Sequence, residues 1–441
     1  MSGQSPFKDT IFALSTGGLP SGVAVIRMSG PHVRHVLAGL AGRLPPARLA
    51  TLCRLVDRQG AQIDRGLVLF FPGPASFTGE DCGELHLHGG RAVVAAILAA
   101  LGGQPGMRQA EAGEFTRRAF LNGKVDLTGA EGLADLLAAE TEAQRRLALA
   151  NAEGGQSVLY AGWRSRLLHA RAMIEAELDF ADEADVGASA SGQVWESLAG
   201  LSREIGRHIE GYAVAEMVRE GFRVALVGAP NVGKSSLLNV LAKREVAIVT
   251  EVPGTTRDVI EVALDLHGMK VLVTDTAGIR ETGDKVEQIG VSRARDAAAR
   301  ADLVLLLVEA GSQEPQAFEP PAHAACLRVG TKSDLGRGDA AAFDFLISAH
   351  TGEGIPALLD EITTQAATAT SAGANVMPTR LRHIELLAQA RDCVAAALDT
   401  RDIELRAEDL RLASDALGRI SGAIDVEDLL DVIFSQFCIG K

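Results

Sequence analysis

Gly228-Ala229-Pro230-Asn231-Val232-Gly233-Lys234-Ser235 decides how the rest of this chain is read. The octet spells G-x-x-x-x-G-K-S. An apolar run, Phe222 to Val227, precedes it and an apolar-periodic stretch follows from Leu237, so a strand, a glycine-rich turn and a helix are predicted in succession. That order aims several backbone N–H groups and the positive end of a helix dipole at one point. Lys234 can then reach the outer phosphates of a nucleotide and the Ser235 hydroxyl can ligate Mg²⁺, with Val232, Gly233 and Ser236 in the same cradle.

The nucleotide is read further along. Asp275-Thr276-Ala277-Gly278 follows the strand-like run Lys270 to Thr274, which puts an acid at a strand end for Mg²⁺ and a glycine N–H near the γ-phosphate. Thr331-Lys332-Ser333-Asp334 follows the short run Leu327 to Gly330, and Ser348-Ala349-His350 follows Asp344 to Ile347. The Asp334 carboxylate can accept from guanine N1–H and its exocyclic amine, donors that adenine does not offer there. The chain therefore reads as a GTPase. The usual pattern at this place is Asn-Lys-x-Asp, and Thr331 replaces the Asn. A hydroxyl has fewer donors than an amide, so weakened base affinity is expected.

Hydrolysis also needs a group that orients water and a charge between the β- and γ-phosphates. Where many GTPases carry Gln after Asp-x-x-Gly, this chain has Ile279, which cannot orient water. Glu287, in the acidic stretch Glu281 to Glu287, is the best candidate for the replacement, although its spacing alone better suits a solvated first-turn glutamate at a helix N-terminus. The loop Thr250-Glu251-Val252-Pro253-Gly254-Thr255-Thr256-Arg257-Asp258 falls at the first-switch position, and one of its threonines should complete the Mg²⁺ shell. Asn231 adds an amide oxygen where an arginine finger would act. With loop carbonyls it makes a set of hard donors suited to potassium in place of that finger.

These residues resemble the tRNA-modification GTPases of the MnmE type. The resemblance rests on Asn231, on Gly254-Thr255-Thr256-Arg257-Asp258 and on Asp275 to Glu281. Outside the nucleotide region it rests on Ser76-Phe77-Thr78-Gly79-Glu80-Asp81 running to Glu84-Leu85-His86-Leu87-His88-Gly89-Gly90, on Gly113 to Lys124, and on the final Phe437-Cys438-Ile439-Gly440-Lys441. It implies Mg²⁺ on Ser235 and Thr256, K⁺ on Asn231, Thr250, Val252 and Thr255, and a water positioned by Glu287. It also implies 5-formyltetrahydrofolate, or a related one-carbon folate, on Arg27, Glu84, Lys124 and Lys441, with Cys438 near that pocket as either a reactive thiol or a small apolar filler. The implied activity is GTP hydrolysis coupled to modification of C5 of the wobble uridine, position 34, of certain tRNAs. A homodimer would work with a flavin- and NADH-using partner in a heterotetramer or larger complex.

Composition is consistent with that reading. The chain has 441 residues with 43 basic against 57 acidic side chains, a net charge of −14, which argues against coating nucleic acid by electrostatics alone. A tRNA partner needs a local patch, for which Arg164, Arg166 and Arg171 on one helical stretch are available, unless they form an ordinary solvated face. The five cysteines show no paired metal spacing and the start Met1 to Asp9 is polar, so reduced thiols in a cytoplasm are expected. Leu303 to Val308 is too short an apolar run to span a bilayer. His86 and His88 alternate on a strand without further ligands in view and are read as non-metal.

The expected architecture is multidomain: an α+β folate-binding and dimerisation domain over 1–123, a helical domain over 124–215 and 377–441, and an inserted, doubly wound Ras-like G domain over 216–376. Gly187 to Gly192 is expected to be a turn or joint and Ala366 to Asn375 a linker. Two rival functions remain: a ribosome-assembly GTPase, which should carry a basic appendage not seen here, and a folate-dependent transferase with a merely regulatory G domain.

Overall fold

Alternation sets the first sheet. In β2 (Ser21–Ser29) Ala24, Ile26 and Met28 point inward and are fully buried, the period of two that a half-covered strand requires. With β1 (Thr10–Leu14), β3 (Thr51–Val56), β4 (Gln62–Phe71), β5 (Cys82–Gly89) and β6 (Met107–Gln109) it forms one sheet of order β3-β4-β5-β2-β1-β6. Only the β1–β6 pair is parallel. Helices α1 (Val33–Ala41) and α2 (Arg91–Gly102) supply Leu37, Ile97 and Leu101 to its core. Each such side chain contributes about 1.5–3 kcal/mol when fully buried.

The computed structural model describes residues 7–179, 188–244, 246–248, 260–275, 296–312, 318–336, 338–371, 376–424, 430, 433–435, 437 and 440. They form two units, 1–134 with 417–441, and 135–416. In the first, α3 (Glu114–Leu121) brings Arg118 to a fully buried position against Glu80 and Glu114, while Phe434 and Phe437 pack on Leu127 and Ala130.

The second unit holds helices and a second sheet. After α4 (Leu127–Ala138), of which residues 127–134 belong to the first unit, its helices include α5 (Glu142–Ala152), α6 (Gly155–Asp179), α7 (Ala188–Glu210) and α8 (Tyr212–Glu220). The strands are β7 (Phe222–Gly228), β8 (Ile260–Leu266), β9 (Met269–Asp275), β10 (Leu303–Glu309), β11 (Ala325–Thr331) and β12 (Phe345–Leu346), in the order β12-β11-β10-β7-β9-β8. All neighbours are parallel except the β8–β9 hairpin. The order reverses direction at β7, so the C-terminal end of β7 is the topological switch point where doubly wound sheets bind ligands. Helices α9 (Lys234–Ala242) and α10 (Ile355–Thr370) bury Leu237, Leu241, Leu358 and Ile362 in the core of this sheet, and α11 (Leu381–Asp399) and α12 (Ile403–Ser421) complete the described helices of regular length.

Two expectations fail here. Residues 188–192 lie inside α7 rather than in a turn, because the helix is carried by Leu198, Leu201 and Ile205, all buried at helical spacing. Residues 366–370 belong to α10, not to a linker. Ala366 is buried, and the Thr364, Thr368 and Thr370 hydroxyls each donate to the carbonyl four residues back, at 2.8 to 2.9 Å, so the polar threonines satisfy themselves along the helix.

The β8–β9 turn, His267-Gly268, has φ of 53° and 86°, the left-handed pair that a tight hairpin requires. Its tip is anchored within the unit: Gly268 O accepts from Ala143 N at 2.9 Å, and Lys270 pairs with Glu140 at 2.6 Å.

Candidate guanine-nucleotide site

The predicted strand, turn and helix are β7, the loop from Gly228 and α9. The loop is wound by Asn231 at φ 59° and Gly233 at φ 109°. Lys234 opens α9, is 5% exposed, and donates from Nζ to the carbonyls of Gly228 at 2.7 Å and Ala229 at 2.9 Å. Burial lowers the pKa of its ammonium, with the Asp275 carboxylate acting in the opposite direction. Its loop carbonyls occupy the role that phosphate oxygens fill for such a lysine.

β9 lies beside β7 in register, Leu226 opposite Asp275, so the buried acid ends next to the first turn of α9. The Ser235 hydroxyl donates to Asp275 Oδ2 at 2.7 Å. A hydroxyl and a carboxylate held together are hard oxygen donors of the kind Mg²⁺ takes, so these two residues fit the ion expected for them.

β11 ends at Thr331, and the β11–β12 pairing brings the base loop beside the loop after β12. Thr331 is buried, and its Oγ1 donates to the Val232 carbonyl at 2.6 Å, with the Val308 carbonyl at 3.3 Å. The hydroxyl at 331 thus ties the base loop to the phosphate loop. Lys332, at φ 57°, pairs with Glu309 at 2.7 Å. Asp334 is exposed, and a hydrogen bond from the Ser348 side chain holds its carboxyl below the usual carboxylate range. Ser348 Oγ in turn accepts from His350 N at 3.2 Å and Thr351 N at 3.1 Å. Among the described residues the Ala349 N–H has no partner, and the buried Ser333 Oγ has none either. Ser236 is exposed one residue beyond Ser235.

Thr250, Glu251, Val252, Pro253, Gly254, Thr255, Thr256, Thr276, Ala277, Gly278 and Glu287 lie outside the described residues, as do Cys438 and Lys441.

In the first unit, Arg27 and Glu84 are opposite each other on β2 and β5 and pair at 3.2 Å. Glu84 also meets His86 Nε2 at 3.2 Å, and His88 meets Asp64 at 2.8 Å. The Arg27 guanidinium lies 5.7 Å from the centre of the Phe77 ring, which is 43% exposed. Lys124 packs its stem on Gly79, where an added Cβ would meet Lys124 Cγ at 3.3 Å, and Gly440 O accepts from Ser15 Oγ at 2.9 Å. Phe77 had a signal in the quoted Ser76 to Asp81 motif but was not singled out. Of the three helical arginines, Arg166 pairs with Glu204 at 2.8 Å and Arg171 with Glu175 at 2.7 Å, while among the described residues the buried Arg164 Nε has no partner.

Phosphate, metal and base groups thus converge at the C-terminal edge of one parallel sheet, at its switch point, and the fold and site together define a P-loop GTPase. Residues 10–124 match the family described as GTP-binding protein TrmE N-terminus, and residues 127–438 match the MnmE helical domain. The chain is similar over its whole length to proteins named tRNA modification GTPase MnmE. The one from Chelativorans sp. is 57% identical, covering 100% of both chains, and that of Mesorhizobium japonicum is 58% identical, covering 98% of this chain and 99% of its own. That of Brucella anthropi is 57% identical over 100% of both. The chain belongs to the MnmE family, and it is a GTP hydrolase.

Proposed function

We propose that this GTPase is potassium-dependent and modifies C5 of the wobble uridine, position 34, of certain tRNAs with an aminomethyl or carboxymethylaminomethyl group. It does so as a homodimer in the cytoplasm with a flavin- and NADH-using partner protein, in a heterotetramer or larger complex. The observation that carries this reading is kinship along the full chain, at 57% identity, with proteins named for tRNA modification. The one-carbon unit comes from 5-formyltetrahydrofolate or a related folate, and the redox chemistry belongs to the partner.

In this reading 1–123 binds folate and dimerises, 124–215 with 377–441 is the helical domain, and 216–376 is the G domain. Ser235 and Thr256 hold Mg²⁺. Asn231, Thr250, Val252 and Thr255 hold K⁺, which supplies the positive charge between the β- and γ-phosphates, and Glu287 orients the water. Asp334 accepts from guanine N1–H and the exocyclic amine, and the Ala349 N–H is available to O6. The exposed, left-handed Asn231 on the phosphate-loop turn supports the potassium site. Arg27 and Glu84, paired beside an exposed aromatic ring, support a site for a flat heterocycle, completed by Lys124 and Lys441, with Cys438 close by. Exposed Leu52 and Leu67, opposite each other on β3 and β4 at a sheet edge, support dimerisation. Among the described residues no helix is long and apolar enough to cross a membrane.

Nucleoside mass spectrometry of tRNA from cells lacking the gene tests the reading. Loss of the C5-modified wobble uridine is expected. Unchanged wobble uridines would overturn it.

A further inference from the structure

We infer that residue 331 leaves N7 of guanine unread: Thr331 is a latch on the phosphate loop, and its hydroxyl does not read the base. The argument is one of hydrogen count. A threonine hydroxyl carries a single hydrogen. At Thr331 that hydrogen lies on the Val232 carbonyl at 2.6 Å, with the Val308 carbonyl as its other near acceptor at 3.3 Å. Both acceptors are backbone atoms of the protein. Guanine presents N7 and O6 as acceptors on one edge, and an acceptor is read only by a donor. An asparagine amide has two N–H groups and could serve loop and base together; the hydroxyl, already committed, cannot.

The site around Thr331 makes this commitment stable. The side chain is 4% exposed, and an added Cβ on Gly233 would lie 3.8 Å from Thr331 Cβ, so the phosphate loop packs directly on it. The neighbouring Lys332 is engaged with Glu309 at 2.7 Å, and the Ser333 hydroxyl is buried. Base discrimination then falls to Asp334, held by Ser348 and reading the donor edge. The inference rests on that guanine role of Asp334, and an ATP competition arm separates the two: ATP competing as well as GTP would remove the Asp334 reading, whatever the N7 result.

The experiment is equilibrium titration of the full chain with GDP and with 7-deaza-GDP, in which N7 is replaced by C–H. The native chain is expected to bind the two within about twofold. Thr331→Asn should create discrimination, binding GDP about three- to tenfold better than the deaza analogue, the scale of one added net hydrogen bond. Thr331→Val, which keeps the shape and removes the hydroxyl, should weaken both ligands by one common factor, and Thr331→Ser should restore them. Tenfold loss on 7-deaza-GDP in the native chain overturns the inference, as does a Thr331→Val variant that binds both ligands normally. The first comparison needs no variant, so a poorly folded substitution does not decide it.

Discussion

Asp334 and Arg118 show how differently two charged side chains are used. Asp334 is exposed and oriented by Ser348, so its worth lies in what it can accept from a ligand. Asp334→Asn presents a donor where the carboxylate accepted; guanine affinity should fall by roughly two orders of magnitude, the scale of one or two charge-assisted hydrogen bonds. Its preference over adenine should vanish in GTP and ATP competition, and a variant that still excludes ATP would remove Asp334 as the base reader. Arg118 is fully buried and bonds Asp9 at 2.8 Å, Glu114 at 3.0 Å and Glu80 at 3.3 Å. Arg118→Met strands buried carboxylates and should cost about 3–5 kcal/mol in urea unfolding of the first unit, part of it recovered by adding Glu80→Gln. Burial opposes ionisation of Asp9 and Glu114, but bonds from Arg118 and Arg108 outweigh it and leave both pKa values lowered. Their folded pKa values lie below the unfolded ones, so the stability they contribute is present above about pH 4 and is lost as pH falls through the folded values. The phosphate loop was legible because its spacing is its chemistry; the Arg118 cluster was not, since Asp9, Glu80 and Arg118 are far apart in sequence and no local pattern pairs them.

At the scale of elements, α6, α7 and α11 meet around a histidine pair. Tyr160 lies 3.0 Å from His208 Nε2, and its ring centre is 6.4 Å from that of the fully buried His383. Burial, and then the neighbouring His383, bring the His208 pKa to about 4. A histidine with a lowered folded pKa is protonated more readily when unfolded. Its stability is therefore complete above about pH 6.5 and lost as pH falls to about 4, by up to about 3 kcal/mol. Urea midpoints across that range should fall for the native chain and less so for His208→Gln; parallel pH profiles would reject this account. Helix in this region was readable from the helical spacing of Leu167, Ile174 and Leu178. The ends were not: small residues at 188–192 and threonines at 364–370 look like breakers, and only packing and back-bonded hydroxyls reveal them as helix.

For the whole molecule, a net charge of −14 leaves little for long-range attraction of nucleic acid. Activity should respond to the kind of cation more than to ionic strength. GTP turnover is expected to be faster in KCl than in NaCl at equal ionic strength, and Asn231→Ala should remove most of that difference; equal native rates in the two salts would end the potassium reading. The two-sheet organisation was legible from motif placement and from the switch of hydrophobic period at Phe222. The grouping of 417–441 with 1–134 was not, because helical periodicity shows which face is buried and never against what.

The anchored β8–β9 turn bears on where this chain accepts foreign sequence. Exposed hairpin tips are ordinarily the sites at which tags, reporter domains and new termini are tolerated. The tip at Arg58 to Ala61 has that character, with all four residues exposed. The tip at His267-Gly268 looks equally permissive in sequence, yet Gly268 receives the Ala143 N–H, and a Cβ added there would meet Glu142 Cβ at 3.2 Å. An insertion at 267–268 would separate the hairpin from α5, so a label meant to leave the second unit intact belongs elsewhere.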